Sequence, residues 1–238
     1  MKLDILAIAA HPDDVELGCA GTLLVHLRAG RKVGVIDLTR GELGTRGSAA
    51  QRDAEAADAS RVLGLSAREN MRFADGFFEN NREHQLKLIA AIRRYQPEIV
   101  LTNAVEDRHS DHGRASKLVS DSCFLAGLVK IETSDGGERQ AAWRPQAVYH
   151  FIQDRLLVPD LVVDVTDVWA QKIDSIRAYK TQFFDPGSQE PETHISKPDF
   201  LNFIEARALE LGHSIGVKYG EGFTKERNLG VRNLFDLL

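Results

Sequence analysis

The chain has 238 residues, 43% hydrophobic and 27% charged, which is enough apolar material for a packed core and excludes global disorder. Its net charge of -5 disfavours a nucleic-acid binder, which needs basic density to displace counterions from phosphates. Two cysteines, Cys19 and Cys123, far apart in sequence, exclude a disulfide framework and a thiolate zinc cage.

Leu3 to Ala10 is an apolar run broken only by Asp4, the pattern of a strand buried on both faces. Leu17 to Ala29 has helical apolar spacing and stops before Gly30. Lys32 to Leu38 reads as a second strand. Ala49 to Leu63 reads as a helix ending at Gly64, and Glu83 to Tyr95 as an amphipathic helix stopping near Pro97. Glu98 to Leu101 is a short buried strand, and Gly113 to Ala126 is helical. Thr133 to Arg144 is a polar insertion with a Gly-Gly turn. Val148 to Ile152 and Leu161 to Val165 read as strands, and Val168 to Tyr179 and Pro198 to Leu211 as helices. The Pro- and Gly-rich stretch between those helices is a loop, because too little chain follows it to build a second core. Strands alternating with helices over short connections imply right-handed crossovers. The expectation is one Rossmann-like α/β domain over residues 1–238, with a mostly parallel sheet flanked by helices.

No apolar run approaches the roughly 18 residues of a membrane span. Met1-Lys2-Leu3-Asp4 puts an acid where a signal peptide is apolar. A cytoplasmic protein with no membrane partner is expected.

Ligands of open parallel sheets bind outside the carboxyl ends of the strands. The first strand ends in Ala10-His11-Pro12-Asp13-Asp14-Val15-Glu16, one imidazole and three carboxylates within six residues. The dinucleotide fingerprint Gly-x-Gly-x-x-Gly is missing there, which counts against a nucleotide binder, although Asp37 stands where a ribose acid would. Pro12 keeps His11 out of a helix, so His11 and Asp14 can aim at one point. A bland alternative is a capping box, Asp13 with Glu16, which explains neither His11 nor the second aspartate. A second cluster, Asp107-Arg108-His109-Ser110-Asp111-His112, follows the strand at Glu98 to Leu101. It sits at the same sheet edge. Its own bland reading is a polar loop with Asp111 as helix cap. Two such clusters at one edge favour a mononuclear metal site of His, Asp and His with a fourth position open to water.

The AHPDD segment at 10–14 and His109-x-Asp111-His112 resemble the PIG-L/LmbE-like zinc de-N-acetylases. Further segments, among them Leu38 to Gly47, Phe73 to Phe78, Ala178 to Phe183 and Gly216 to Phe223, resemble the branch of the bacillithiol pathway, which deacetylates N-acetyl-α-D-glucosaminyl L-malate. The resemblance implies His11, Asp14 and His112 as zinc ligands, with ferrous iron also acceptable to such a set. It implies Asp13 as general base and His109, oriented by Asp111, as the stabiliser of the oxyanion. Arg52 matches an arginine of the substrate pocket. Arg46, Arg108, Glu42 and Tyr219 are further candidates for holding substrate. Some relatives carry a tyrosine where this chain has Asp107. Other aglycones of the same N-acetylglucosamine, inositol or chito-oligosaccharide, and a non-catalytic sugar-binding module stay open as alternatives. The family is often multimeric, so a homo-oligomer is expected.

Overall fold

The computed structural model describes residues 1–237. One seven-stranded sheet takes its strands from both ends of the chain. They are β1 (Ile5–Ala9), β2 (Val33–Asp37), β3 (Ala67–Asn70), β4 (Ile99–Thr102), β7 (Ala147–Phe151), β8 (Leu161–Asp164) and β9 (Gly220–Lys225), in the order β3-β2-β1-β4-β7-β9-β8. β5 (Ser134–Asp135) and β6 (Glu138–Arg139) form a small separate hairpin inside the polar insertion, turning at Gly136 and Gly137. The first five sheet strands run parallel, and β9 pairs antiparallel with both β7 and β8.

Both faces of the sheet are covered, which is why β1 has no polar face. Leu6 and Ile8 pack under α4 (Arg82–Tyr95) and α5 (Ser110–Ala126), against Leu88, Ile92, Leu118 and Val119. Ile5, Ala7 and Ala9 point the other way, toward Val15 of α1 (Asp14–Gly18), Leu23 of α2 (Ala20–Arg28) and Cys19 between the two helices. α3 (Ala49–Leu63), α6 (Trp169–Arg177) and α7 (Phe200–Ser214) complete that layer. No described helix is long and apolar enough to cross a membrane.

Chain order reverses between β1 and β4: from β1 the sheet grows outward through β2 and β3, from β4 through β7. That reversal opens a crevice at the carboxyl ends of the two central strands. Ile8 is in register with Thr102, so the loops after β1 and β4 leave the sheet side by side. Sequence elements far apart in the chain thereby share one edge.

Several boundaries differ from those expected. The helix expected from Leu17 begins at Asp14 and breaks at Cys19, whose φ of -147° and ψ of 11° are not helical. The break seats α1 close to the sheet: a Cβ on Gly18 would lie 2.3 Å from the Phe151 ring. β3 was not expected, because Ala67-Arg68-Glu69-Asn70 is an edge strand without an apolar alternation. β9 was not expected either; its glycines dilute the strand signal.

The turn into α1 is anchored from below by Arg68 of β3. Its guanidinium forks onto both oxygens of Asp37 at 2.8 and 2.9 Å and reaches Glu16 at 2.6 Å. Asp37 and Glu16 are buried, so the guanidinium neutralises charge that water cannot reach. Asp37 is thereby committed and is not free to meet a ribose. Replacing Arg68 with Met strands two buried carboxylates and should cost about 3–5 kcal/mol of stability in urea unfolding. A loss below about 1 kcal/mol would show that the cluster does not anchor the turn.

Candidate metal and active site

The loop after β1 carries His11, Asp13 and Asp14, all buried. Asp13 has a φ of 109°, a region an aspartate seldom enters. It precedes α1 but its side chain caps nothing, and Glu16 is held by Arg68, so the capping box is absent. The carboxylate of Asp13 instead lies 3.5 Å from Arg52, which also donates to the Pro12 carbonyl at 3.0 Å and to Gln182. Burial pushes the Asp13 carboxyl up to about 7, with the Arg52 charge pulling the other way.

Asp14 sits between two imidazoles. Its Oδ1 is 3.1 Å from His112 Nε2, and its Oδ2 is 3.5 Å from His11 Nδ1. The far nitrogen of each ring is taken by other carboxylates. His112 Nδ1 meets Asp107 at 2.5 Å, and His11 Nε2 lies 3.1 Å from Asp75 and 3.3 Å from Asp111. Asp14 in turn accepts from Asn103 Nδ2 and Gln153 Nε2, both at 3.0 Å. Burial alone would lower both imidazole pKa values. The bonds from Asp111, Asp14 and Asp75 hold His11 well above its ordinary value, and the charge of Asp14 with the Asp107 bond lifts His112 to about 9. Burial works against Asp14 too, but the two imidazoles hold it well below the carboxylate range. Such a cluster of carboxylates demands positive charge.

A metal ion would supply it, and the donors fit one. Ligands about 2.0–2.1 Å from a tetrahedral ion lie roughly 3.3 Å from one another. Asp14 approaches that spacing with a different oxygen for each ring, Oδ1 for His112 and Oδ2 for His11. Ligating histidines usually turn their other nitrogen to a carboxylate, as both rings do here. The ring nitrogens of His11, His109 and His112 also fall within 4.8 Å of one another, as do one atom each of His11, Asp75 and Asp111.

His109 caps α5. Its Nδ1 accepts the Asp111 amide at 3.2 Å, which leaves the ring proton on Nε2. The expectation that the Asp111 carboxylate orients His109 is corrected. That carboxylate accepts from Gly76 N and Arg114, at 2.9 and 2.6 Å, and faces His11. Burial lowers the pKa of His109, and the nearby His11 and His112 lower it further, which favours the neutral ring. Asp107 acquires a role here as the partner of His112.

These residues open onto a cavity of about 490 Å³. Arg52 and Arg108 border it, but Arg52 is engaged as described and Arg108 is paired with Asp154 at 2.8 Å. Arg46 and Glu42 do not border it. Arg46 is buried with Nε 3.7 Å from Glu190. Glu42 accepts the amide of Asp75 at 2.9 Å and so holds the loop that carries Asp75. Tyr219 stacks on Trp169 and donates to Glu205, while its neighbours Gly220 to Gly222 face the cavity. Asp75, Asn103 and Gln153 were missed as site residues. Asp75 follows β3, the strand hidden in the sequence; each of the others follows a recognised strand and was open to the rule that points to strand ends.

Known proteins share this arrangement of elements. A family model described as GlcNAc-PI de-N-acetylase, PIG-L, matches residues 6–123. A diacetylchitobiose deacetylase of Thermococcus kodakarensis is 27% identical over 228 residues, 92% of this chain and 81% of the relative. A 4-oxalmesaconate hydratase of Pseudomonas putida is 25% identical over 191 residues, 74% and 73% of the two chains. The crystal structure of a conserved protein of Thermus thermophilus is 34% identical, with a TM-score of 0.85 over 97% of this chain and 98% of that one.

Asn103 orients Asp14 without touching the other donors. Its replacement by Leu should weaken zinc binding about 10–100-fold in a chelator competition titration. Unchanged affinity would remove Asp14 from the ligand set.

Proposed function

This chain belongs to the PIG-L/LmbE-like deacetylase family, and on that footing we propose that it is a metal-dependent amidohydrolase that removes acetate from an N-acetylglucosaminide. The observation that carries the reading is the pair of imidazoles, each turned to Asp14 by one nitrogen and held on carboxylates by the other, with the unligated Asp13 beside them. His11 Nδ1, Asp14 and His112 Nε2 would hold zinc or ferrous iron. Bound there, the ion would lower the pKa of a water toward neutrality and polarise the acetyl carbonyl.

The protein's own groups do the rest. Asp13 accepts a proton from the attacking water as its oxygen bonds to the acetyl carbon. His109 presents Nε2–H to the oxygen that gains negative charge, and a neutral donor suffices there. As the C–N bond breaks, Asp13 returns its proton to the departing amine, leaving acetate and a free glucosamine. Arg52 positions Asp13 by holding the Pro12 carbonyl.

The Thermococcus relative supports a second sugar, as in diacetylchitobiose. The malate conjugate of the bacillithiol route has less support, because Arg46, Arg52 and Arg108 are each engaged within the protein. A hydratase shares the activated water but expels no amine, so acetate release separates that chemistry from this one.

The zinc-loaded protein should release acetate from diacetylchitobiose faster than from the malate conjugate. Asp13→Ala should keep its zinc and lose about 10²–10⁴ in kcat. A variant that loses its zinc instead would make Asp13 a ligand, and wild-type protein that releases no acetate from any N-acetylglucosaminide would overturn the reading.

A further inference from the structure

His150, near the carboxyl end of β7, is a buried histidine that takes no part in the chemistry above. It faces α5, on the side of the sheet that is apolar under β1. In register beside it stand Thr102 of β4 and Thr224 of β9, so three polar side chains cross that face in a row. The hydroxyl oxygens of both threonines are buried and meet no partner among the described residues. Such a row costs stability that valine or leucine would not, and local breaches of pattern gather at functional sites.

The contacts of His150 account for the breach. Its Nδ1 lies 3.0 Å from the Asn103 carbonyl and 2.9 Å from Ser116 Oγ. A carbonyl accepts and cannot donate, so Nδ1 carries a proton. Its Nε2 lies 3.0 Å from Oε1 of Glu226, at the protein surface. Burial would raise the Glu226 carboxyl, but bonds from His150 and Ser120 hold it below its ordinary value. A ring flip would forfeit the bonds at both ends, so the imidazole is locked in this orientation. The two partners of Nδ1 belong to the two arms of the metal site. Asn103 follows β4, and its side chain accepts the Ala10 amide at 2.8 Å and donates to Asp14 at 3.0 Å. Ser116 lies one turn beyond His112 on α5. We infer that His150 is a positioning residue of the metal site: through Nδ1–H it fixes the Asn103 backbone, and with it the carboxamide that aims Asp14, against the part of α5 that carries His112. Glu226 holds the ring for that task from outside the site. This rests on the reading of Asp14 and His112 as ligands and stands apart from the choice of substrate.

The test is a chelator competition for zinc, with urea unfolding of the same proteins in their metal-free form. His150→Phe keeps a ring and loses its bonds, and should weaken zinc binding about three- to tenfold. In Asn103→Leu protein the same change should cost nothing further, because the carboxamide it acts through is gone. His150→Asn puts an amide N–H near the place of Nδ1 and should recover most of the affinity, although it leaves the larger void and unfolds more easily. His150→Gln reaches toward Glu226 instead and should not recover it. A role in packing alone would reverse that order, with zinc affinity following stability and His150→Asn the weakest binder. In 15N-edited spectra of the metal-free wild-type protein, Nδ1 of His150 should carry a directly bonded proton. A bare Nδ1 accepting from Ser116 would overturn the inference. So would additive losses in the double variant, or a zinc affinity that His150→Phe leaves unchanged. If Asn103→Leu alone leaves zinc binding unchanged, Asp14 is not a ligand and the role of His150 falls with it. If the zinc affinities keep the expected order and no acetate appears from any N-acetylglucosaminide, the de-N-acetylase reading fails and the role of His150 stands.

Discussion

The site depends on a turn that its own sequence does not favour. Asp13 is held at a φ of 109°, a conformation that costs a non-glycine residue on the order of 1–3 kcal/mol. Three contacts offset the strain. Asp14 accepts the amide of His11 at 3.0 Å, Arg52 grips the Pro12 carbonyl, and Arg68 pulls Glu16 onto the sheet. With that turn in place, Asp14 faces both imidazoles while Asp13, its immediate neighbour, faces Arg52. Two adjacent aspartates are thereby given different surroundings, and the division of labour between ligand and base follows from that separation.

The second constraint is charge. Asp13, Asp14, Asp75, Asp107 and Asp111 crowd around His11 and His112, and Arg52 and Arg114 are the permanent cations in contact with them. Buried charge of one sign is costly unless it is paired. The cluster answers by drawing protons to its imidazoles, and a divalent cation would answer it better. Burial and the charge drawn onto His11 and His112 lower the pKa of His109, whose side chain makes no bond to these carboxylates.

Much of this was legible in the sequence, and the reasons for the rest are physical. The apolar run of β1 and the His11 to Asp14 segment stand out because strand and ligand types are contiguous. The cluster at 107–112 stands out for the same reason. Asp75 was invisible because Arg68 and Glu69 make β3 a charged edge strand, bound by ion pairs that a hydrophobic pattern does not register. The orientation of Asp111 was misjudged because helix spacing cannot tell a carboxylate that faces its neighbour from one that faces another loop. The backbone amide of Asp111, not its side chain, is what meets His109. The helix from Pro198 to Leu211 was legible, yet only the fold places it beside the cavity.

A crystal structure of the zinc-loaded protein, with the ion located by anomalous scattering, tests the central claim most directly. The ion should lie about 2.0–2.2 Å from His11 Nδ1, an Asp14 oxygen and His112 Nε2, with Asp13 outside its coordination shell. Zinc bound by Asp13, or seated between His11, Asp75 and Asp111, would contradict the account.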